Sequence, residues 1–246
     1  MIVLLGLASL ISLVASLVLG IRLLRLASRT RGVPELAMGT GFLLGGFLGL
    51  LCILVSNAAP HAGLPPETGE RLFRIGMSLV AVGISCTFVF VWQTFRSGSA
   101  MARNLSLFGI ACIGASLWPV WALPVEGAMA SPANYAGDAV RLACMVWGCV
   151  EALRYHATMR RRSKLGLADP VVTNRFLLWG IAMAAGAGTV VMSAYMMMSG
   201  LVDPDAWPFL VLAILTTISP IAQWLAFFPP RAYGAWITRR AVAAAG

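Results

Sequence analysis

The sequence is poor in charged residues of either sign. Only 11% of its 246 residues are charged, whereas a soluble domain has about 25%. Hydrophobic residues make up 59% of the chain, and just 9 residues are acidic. So few charges do not cover a water-facing surface of this size, which argues against a soluble enzyme and against a disordered protein. The composition predicts a polytopic integral membrane protein.

Histidine is almost absent, and this limits metal and cofactor chemistry. His61 and His156 fall at opposite faces of the predicted membrane region, so they do not bind one metal ion or haem together. The five cysteines form no CxxC pair and lie in apolar runs, where free cysteine packs as a small hydrophobic residue. No GxSxG, HExxH or glycine-rich phosphate loop is present. We therefore predict no metal, no cofactor and no catalytic residue.

Apolar runs long enough to cross a bilayer, which takes about 20 residues, recur along the chain. The predicted spans cover residues of about 2–26, 36–57, 72–95, 104–123, 134–157, 174–199 and 207–228. Ser131 and Pro132 open the fifth span as N-cap and first-turn proline, and Pro229 follows the seventh. We predict an all-α fold, with one seven-helix transmembrane domain over residues 1–246. The segment after the last span is short, so we expect no catalytic domain outside the membrane.

Positive charges are divided unevenly between alternate loops. All of the 18 Lys and Arg residues except Arg71, Arg74 and Arg141 fall on one side of the predicted spans. Cytoplasmic loops carry the excess of Lys and Arg. This pattern predicts that the N-terminus is outside, the C-terminus is cytoplasmic, and the membrane is a bacterial cytoplasmic (inner) membrane. The net charge of +9 then reflects topology and not nucleic-acid binding.

Glycines recur at four-residue spacing in two of the spans. Gly41, Gly45 and Gly49 lie in the second span, and Gly180 and Gly188 lie in the sixth. Small residues let membrane helices approach closely, so we predict that these glycines are helix-packing positions. The packing is either within the chain or between two copies in a homo-oligomer.

Glu151 is the acid that lies deepest within a predicted span. Ionisable residues inside a membrane are expensive and are functional candidates by default. Gln93 and Gln223 fall at comparable depth in other spans, and Trp147 lies one turn from Glu151. We predict a cytoplasmic-side polar cluster of these residues that binds a ligand or couples the helices. The alternative is that Glu151 pairs with Arg154 or extends to the lipid headgroups.

A second candidate site lies at the opposite rim, near Asp138 and Arg141. Charged residues flank the second to fifth spans there and would form the mouth of an extracytoplasmic ligand site. They are His61, Glu67, Glu70, Arg71, Arg74, Glu126, Asp138 and Arg141. The alternative is a simple structural pairing, because Asp138 and Arg141 are three residues apart on one helix.

Two segments resemble other membrane proteins. Residues 22–49 (RLLRLASRTRGVPELAMGTGFLLGGFLG) and 225–240 (LAFFPPRAYGAWITRR) resemble uncharacterised seven-helix bacterial membrane proteins. The second segment is also similar to the point where the chain leaves the membrane in the seven-helix sensor regions of bacterial histidine kinases. The resemblance implies a sensor region; no kinase domain follows Arg240, so we expect a partner to provide the output.

Three functions fit these patterns. The leading hypothesis is a non-enzymatic sensor or receptor-like module that acts through a membrane protein partner within the lipid bilayer. The first alternative is a structural or accessory subunit of a larger membrane complex. The second alternative is a transporter of a small solute or lipid, which requires a polar cavity that reaches the middle of the membrane.

Overall fold

The computed structural model describes residues 2–201, 203 and 206–243, and every regular element in this part of the chain is a helix. The helices are α1 (Ile2–Thr30), α2 (Val33–Ala58), α3 (Pro66–Phe95), α4 (Ala100–Ser116), α5 (Trp118–Ala122), α6 (Val125–Met129), α7 (Pro132–Lys164), α8 (Pro170–Met198), α9 (Trp207–Phe227) and α10 (Arg231–Ala243). The predicted all-α class is confirmed for these residues.

Six helical segments are long and apolar enough to cross a membrane. They are Val3–Thr30, Val33–Ala58, Pro66–Phe95, Ala100–Ala122, Pro170–Met198 and Trp207–Phe227. They coincide with every predicted span except the fifth, residues 134–157, which lies within α7. Such a set of helices indicates a helical integral membrane protein.

The outward surface of α1 supports this conclusion. Leu4, Leu7, Leu10 and Val14 are all more than half exposed, with 52% exposure at Leu7 and 56% at Leu10. Residues spaced by three and four lie on one face of a helix. A continuous exposed apolar face of this length is foreign to a soluble surface and suits contact with lipid tails.

Local sequence signals define where the long helices begin and end. Ser131 caps α7, because its Oγ accepts a hydrogen bond from the backbone N–H of Asn134 at 3.2 Å. Asp169 caps α8 in the same way, through the N–H of Val171 at 2.8 Å. At the other end of α7, Gly166 takes a positive φ of 69°. This left-handed turn, which glycine adopts without strain, stops the helix.

The chain divides into two compact units. One comprises Ser9–Cys144, and the other comprises the residues up to Ala8 together with those from Met145 onward. The division falls inside α7, which is nevertheless a continuous helix of 33 residues.

In the first unit, α2 packs against α3 through glycines. A Cβ added at Gly45 would lie 2.8 Å from the Cα of Gly83, and one added at Gly83 would lie 2.9 Å from the Cα of Gly45. Farther along, a Cβ at Gly49 would lie 3.1 Å from the carbonyl oxygen of Gly76. The two backbones are therefore in direct contact, which only glycine permits at these positions.

The middle of α2, Phe42–Gly49, is a π-helix. Its i→i+5 hydrogen bonds make a wider turn than the 3.6 residues of an α-helix. A π-helical turn shifts residues four apart around the axis in the opposite sense to an α-helical turn. Within this segment, Gly45 and Gly49 contact the backbone of α3 at Gly83 and Gly76.

In the second unit, α8 packs against α9 and against the end of α7. A Cβ at Gly180 would meet the side chain of Leu153 at 2.8 Å, and one at Gly188 would meet the side chain of Leu215 at 2.9 Å. These glycines contact the flexible ends of leucine side chains on two different helices. They do not bring two backbones together as Gly45 does.

Candidate functional site on helix α7

Helix α7 carries more charge than the helices that qualify as apolar spans. Asp138, Arg141, Glu151 and Arg154 all fall within its predicted span, residues 134–157. These four charged residues explain why α7 is not among the helices that are apolar enough to cross a membrane in the described part of the chain. They also make α7 the helix on which a functional site is best sought.

Glu151 is buried, with 8% exposure, beside the fully buried Ala152. Glu151 interacts with a neighbouring group and is not free. Trp147, one turn earlier on the helix, is half-buried and also interacts with a neighbouring group. Arg154 is exposed. Ionisable residues inside membrane helices are functional candidates by default, so Glu151 is the first candidate on α7.

The two glutamines of the predicted cluster lie on other helices. Gln223, on α9, donates from its Nε2 to the Oγ of Ser219 at 3.4 Å. Ser219 in turn donates to the carbonyl oxygen of Ala182 on α8, at 3.2 Å. Gln93 is half-buried near the C-terminal end of α3. The joint cluster of these glutamines with Glu151 stays a prediction.

Asp138 and Arg141 form the ion pair that their spacing allows. Arg141 Nη1 and Asp138 Oδ1 are 3.0 Å apart, and the exposed fractions of the two side chains are 13% and 18%. The Nε of Arg141 is buried and has no hydrogen-bond partner among the described residues. The pair lies on the first part of α7, before Cys144, within the first unit.

The rest of the predicted rim is tied together by contacts between helices. Arg74 pairs with Glu70 at 3.1 Å and also donates to the carbonyl oxygen of Leu123 at 3.3 Å. The indole Nε1 of Trp121 donates to the Oγ of Ser78 at 3.1 Å. The last two contacts join α3 to the α5 region. Sequence reasoning missed them, since nothing in the sequence pairs residues so far apart.

The C-terminal end of α7 borders a basic cavity that sequence reasoning also missed. The cavity has a volume of about 330 Å³, and its described lining is His156, Ala157, Arg160 and Arg161. His156 Nδ1 lies 2.9 Å from the carbonyl oxygen of Thr173 on α8. A carbonyl only accepts, so Nδ1 carries the proton and the ring is held against α8. The sequence signal that could have found this cavity was the four-residue spacing of His156 and Arg160, with Arg161 next to it.

Helix α10 adds an aromatic and basic surface beside α8. Tyr233 accepts a hydrogen bond from the side-chain amide of Asn174 at 2.9 Å. Its ring stacks on Trp236 at 5.9 Å, and the guanidinium of Arg240 lies 4.8 Å from the centre of the same tryptophan ring. The hydrogen bond from Asn174 docks α10 on α8, whereas the two ring contacts lie within α10 and are of a kind found near membrane surfaces.

Groups with metal-binding chemistry do not converge in the part of the chain that the structure describes. No three His, Cys, Asp or Glu side chains there come close enough to hold a metal ion. The five cysteines are free thiols. The chemistry present on α7 is therefore that of charge, hydrogen bonding and helix contact.

Comparison with protein-family models, with curated proteins and with solved structures finds no match. The resemblance of residues 22–49 and 225–240 to seven-helix sensor regions therefore stays a hypothesis. Functional inference rests on the chemistry of α7 itself.

Proposed function

We propose that this protein is a non-enzymatic seven-helix membrane protein that works as a sensor or receptor-like module through a partner protein. In this proposal, residues 134–157 of α7 are the fifth of seven spans, in addition to the six helices that are long and apolar enough to cross a membrane. The N-terminus lies outside and the C-terminus lies in the cytoplasm of a bacterial cytoplasmic membrane, as the uneven distribution of Lys and Arg predicts.

The polar contacts of α7 support its role as a span. A segment of this length rises about 36 Å, which exceeds a hydrocarbon core of about 30 Å. Asp138 and Arg141 neutralise each other at 3.0 Å. Glu151 is buried and engaged, and the exposed Arg154 lies close enough to the helix end to extend toward the headgroups. Each charge thus has a way to avoid lipid tails.

The buried Glu151 is the observation that carries the proposed function. A carboxylate with 8% exposure inside a membrane helix is retained at a cost. It lies on the same continuous helix as the Asp138–Arg141 pair toward one end and the basic cavity toward the other. A change of charge or contact at Glu151 therefore has a direct mechanical path along one helix, which is what a sensor that acts through a partner requires.

The test compares two substitutions at this position. Glu151→Gln keeps the shape and most hydrogen-bonding capacity but removes the charge, whereas Glu151→Leu leaves polar partners unsatisfied at a cost of about 1–3 kcal/mol. Glu67→Gln is the matched control, because the side chain of Glu67 is 85% exposed. Each variant is purified from native membranes in mild detergent. Its unfolding and its co-purifying proteins are then measured.

The proposal predicts a stoichiometric protein partner with the wild type and the control. Glu151→Gln should keep the stability of the fold but change the amount of partner retained, and Glu151→Leu should lower stability as well. A protein that purifies without any partner, with all three variants equally stable, would contradict the proposed function.

The exposed face of α4 favours an accessory subunit as the second candidate. Met101, Leu105 and Phe108 lie on one face, with exposures of 81%, 48% and 67%. If this face binds another subunit, Phe108→Ala should release that subunit in native mass spectrometry, whereas Leu10→Ala on α1 should not. Equal release by both variants would assign the face to lipid.

A further inference from the structure

The residues that line the basic cavity occupy one face at the end of α7. His156 and Arg160 are four residues apart, as are Ala157 and Arg161, so the four side chains form two adjacent rows. Ala157 is small and leaves room between the longer side chains. Arg162, by contrast, points about 200° around the helix from Arg160 and does not line the cavity.

The positive charge of this cavity is not neutralised by the residues that the structure describes. Neither Arg160 nor Arg161 forms an ion pair or a side-chain hydrogen bond with any of them. The nearby Asp169 uses a carboxylate oxygen to cap α8. His156 donates from Nδ1 to the carbonyl oxygen of Thr173, so the N–H donors that remain for an anion in this cavity are those of Arg160 and Arg161.

The cavity also lies at one end of a helix that is long and apolar enough to cross a membrane. His156 contacts Thr173 in the first turn of α8, Pro170–Met198, and in a bilayer the end of such a helix lies at the depth of the lipid headgroups. Arg160 and Arg161 both line the cavity, and a guanidinium group binds phosphate oxygens through paired N–H donors. We propose that this cavity binds the phosphate group of an anionic membrane lipid. The inference concerns lipid binding and stands independently of the sensor role.

The test uses the full chain in detergent, exchanged into nanodiscs or micelles that contain phosphatidylglycerol or phosphatidylcholine. Native mass spectrometry measures how much lipid stays bound to the wild type, Arg160→Gln, Arg161→Gln, Arg161→Lys and Arg162→Gln. Arg162→Gln is the matched control, because it removes the same charge from the same turn but does not alter the cavity. A parallel titration with inorganic phosphate separates a lipid headgroup from a free anion.

The wild type should retain phosphatidylglycerol in preference to phosphatidylcholine. Arg160→Gln and Arg161→Gln should each weaken phosphatidylglycerol binding about tenfold or more, because each loses a charge-assisted hydrogen bond. Arg161→Lys should also bind more weakly although it keeps the charge, since lysine lacks the planar pair of donors. Arg162→Gln should lower affinity by about fivefold at most, the effect of one surface cation.

Three results would overturn the proposal. Equal losses in Arg160→Gln, Arg161→Gln and Arg162→Gln would show only diffuse attraction to a charged surface. Retention of both lipids to the same extent would show no headgroup selectivity. Binding of inorganic phosphate without selectivity for phosphatidylglycerol would assign the cavity to a soluble anion.

Discussion

The contact between Gly45 and Gly83 yields a quantitative prediction about stability. Non-bonded carbon atoms normally lie about 3.5–4.0 Å apart, but a Cβ at Gly45 would lie 2.8 Å from the Cα of Gly83 and 3.3 Å from its nitrogen. Because backbone blocks the new methyl group, α2 and α3 must separate by about 1 Å to accept Gly45→Ala. Overpacking of this kind costs about 1–3 kcal/mol, and Gly45→Leu should cost more.

Helix propensity opposes part of this cost. Replacing glycine by alanine inside a helix is worth about 0.8–1.0 kcal/mol when no clash occurs. Gly114→Ala, on α4, isolates that gain because nothing lies within 4 Å of the new Cβ. Gly180→Ala is an intermediate case, since its Cβ meets the end of the Leu153 side chain, which can change rotamer.

The assay is unfolding in mixed micelles by a denaturing detergent, followed by circular dichroism. Gly114→Ala should raise the free energy of unfolding, Gly180→Ala should change it little, and Gly45→Ala should lower it. The double variant Gly45→Ala/Gly83→Ala should lose less free energy of unfolding than the two single variants lose in sum, because one separation of the helices relieves both clashes. If Gly45→Ala and Gly114→Ala changed stability alike, α2 and α3 would not be in backbone contact and the packing argument would fail.

Three further predictions concern topology, the ion pair and a helix cap. In a chain without its natural cysteines, a cysteine at Ala130 should react with an impermeant reagent from outside, and one at Ser163 should react only after permeabilisation; the reverse result would contradict the orientation. Arg141→Leu should lower the free energy of unfolding by about 2 kcal/mol, because it leaves Asp138 largely buried without its partner, and adding Asp138→Leu should restore part of it in the same unfolding assay. Asp169→Ala should destabilise α8 by about 1 kcal/mol through loss of its cap, and no change in hydrogen exchange at the start of α8 would show that the cap is dispensable.

The apolar spans were predictable because length and apolarity are properties of the sequence itself. All of the predicted spans other than the fifth match helices long and apolar enough to cross a membrane. The Ser131 cap was readable for the same reason, since a cap depends on residues close in sequence. Helix α10 was not predicted. Its docking on α8 depends on tertiary contacts such as the hydrogen bond between Tyr233 and Asn174, which are far apart in the sequence.

The partners of the packing glycines show where sequence reasoning stops. Gly45 and Gly49 were recognisable from their four-residue repeat, but the glycines that they approach on α3, Gly83 and Gly76, were not identified as their partners. The seven-residue spacing of Gly76 and Gly83 indicates only that the two share one face of α3. Which two faces meet is decided by the tertiary fold. The π-helical turn of α2 could not be predicted from the sequence either, because it depends on the hydrogen-bond register of the helix and not on its composition.

Helix α7 differs from the apolar helices in how a membrane constrains it. The apolar helices can present leucine to lipid on any uncovered face, as α1 does. If α7 crosses the membrane as we propose, its charged side chains must each be paired, covered or carried to the headgroups. The structure meets this demand with the Asp138–Arg141 pair, with the buried Glu151 and with the exposed arginines at the far end. In the proposed topology, a ligand or partner that changed the contacts of Glu151 would therefore act on a helix whose charges the membrane constrains.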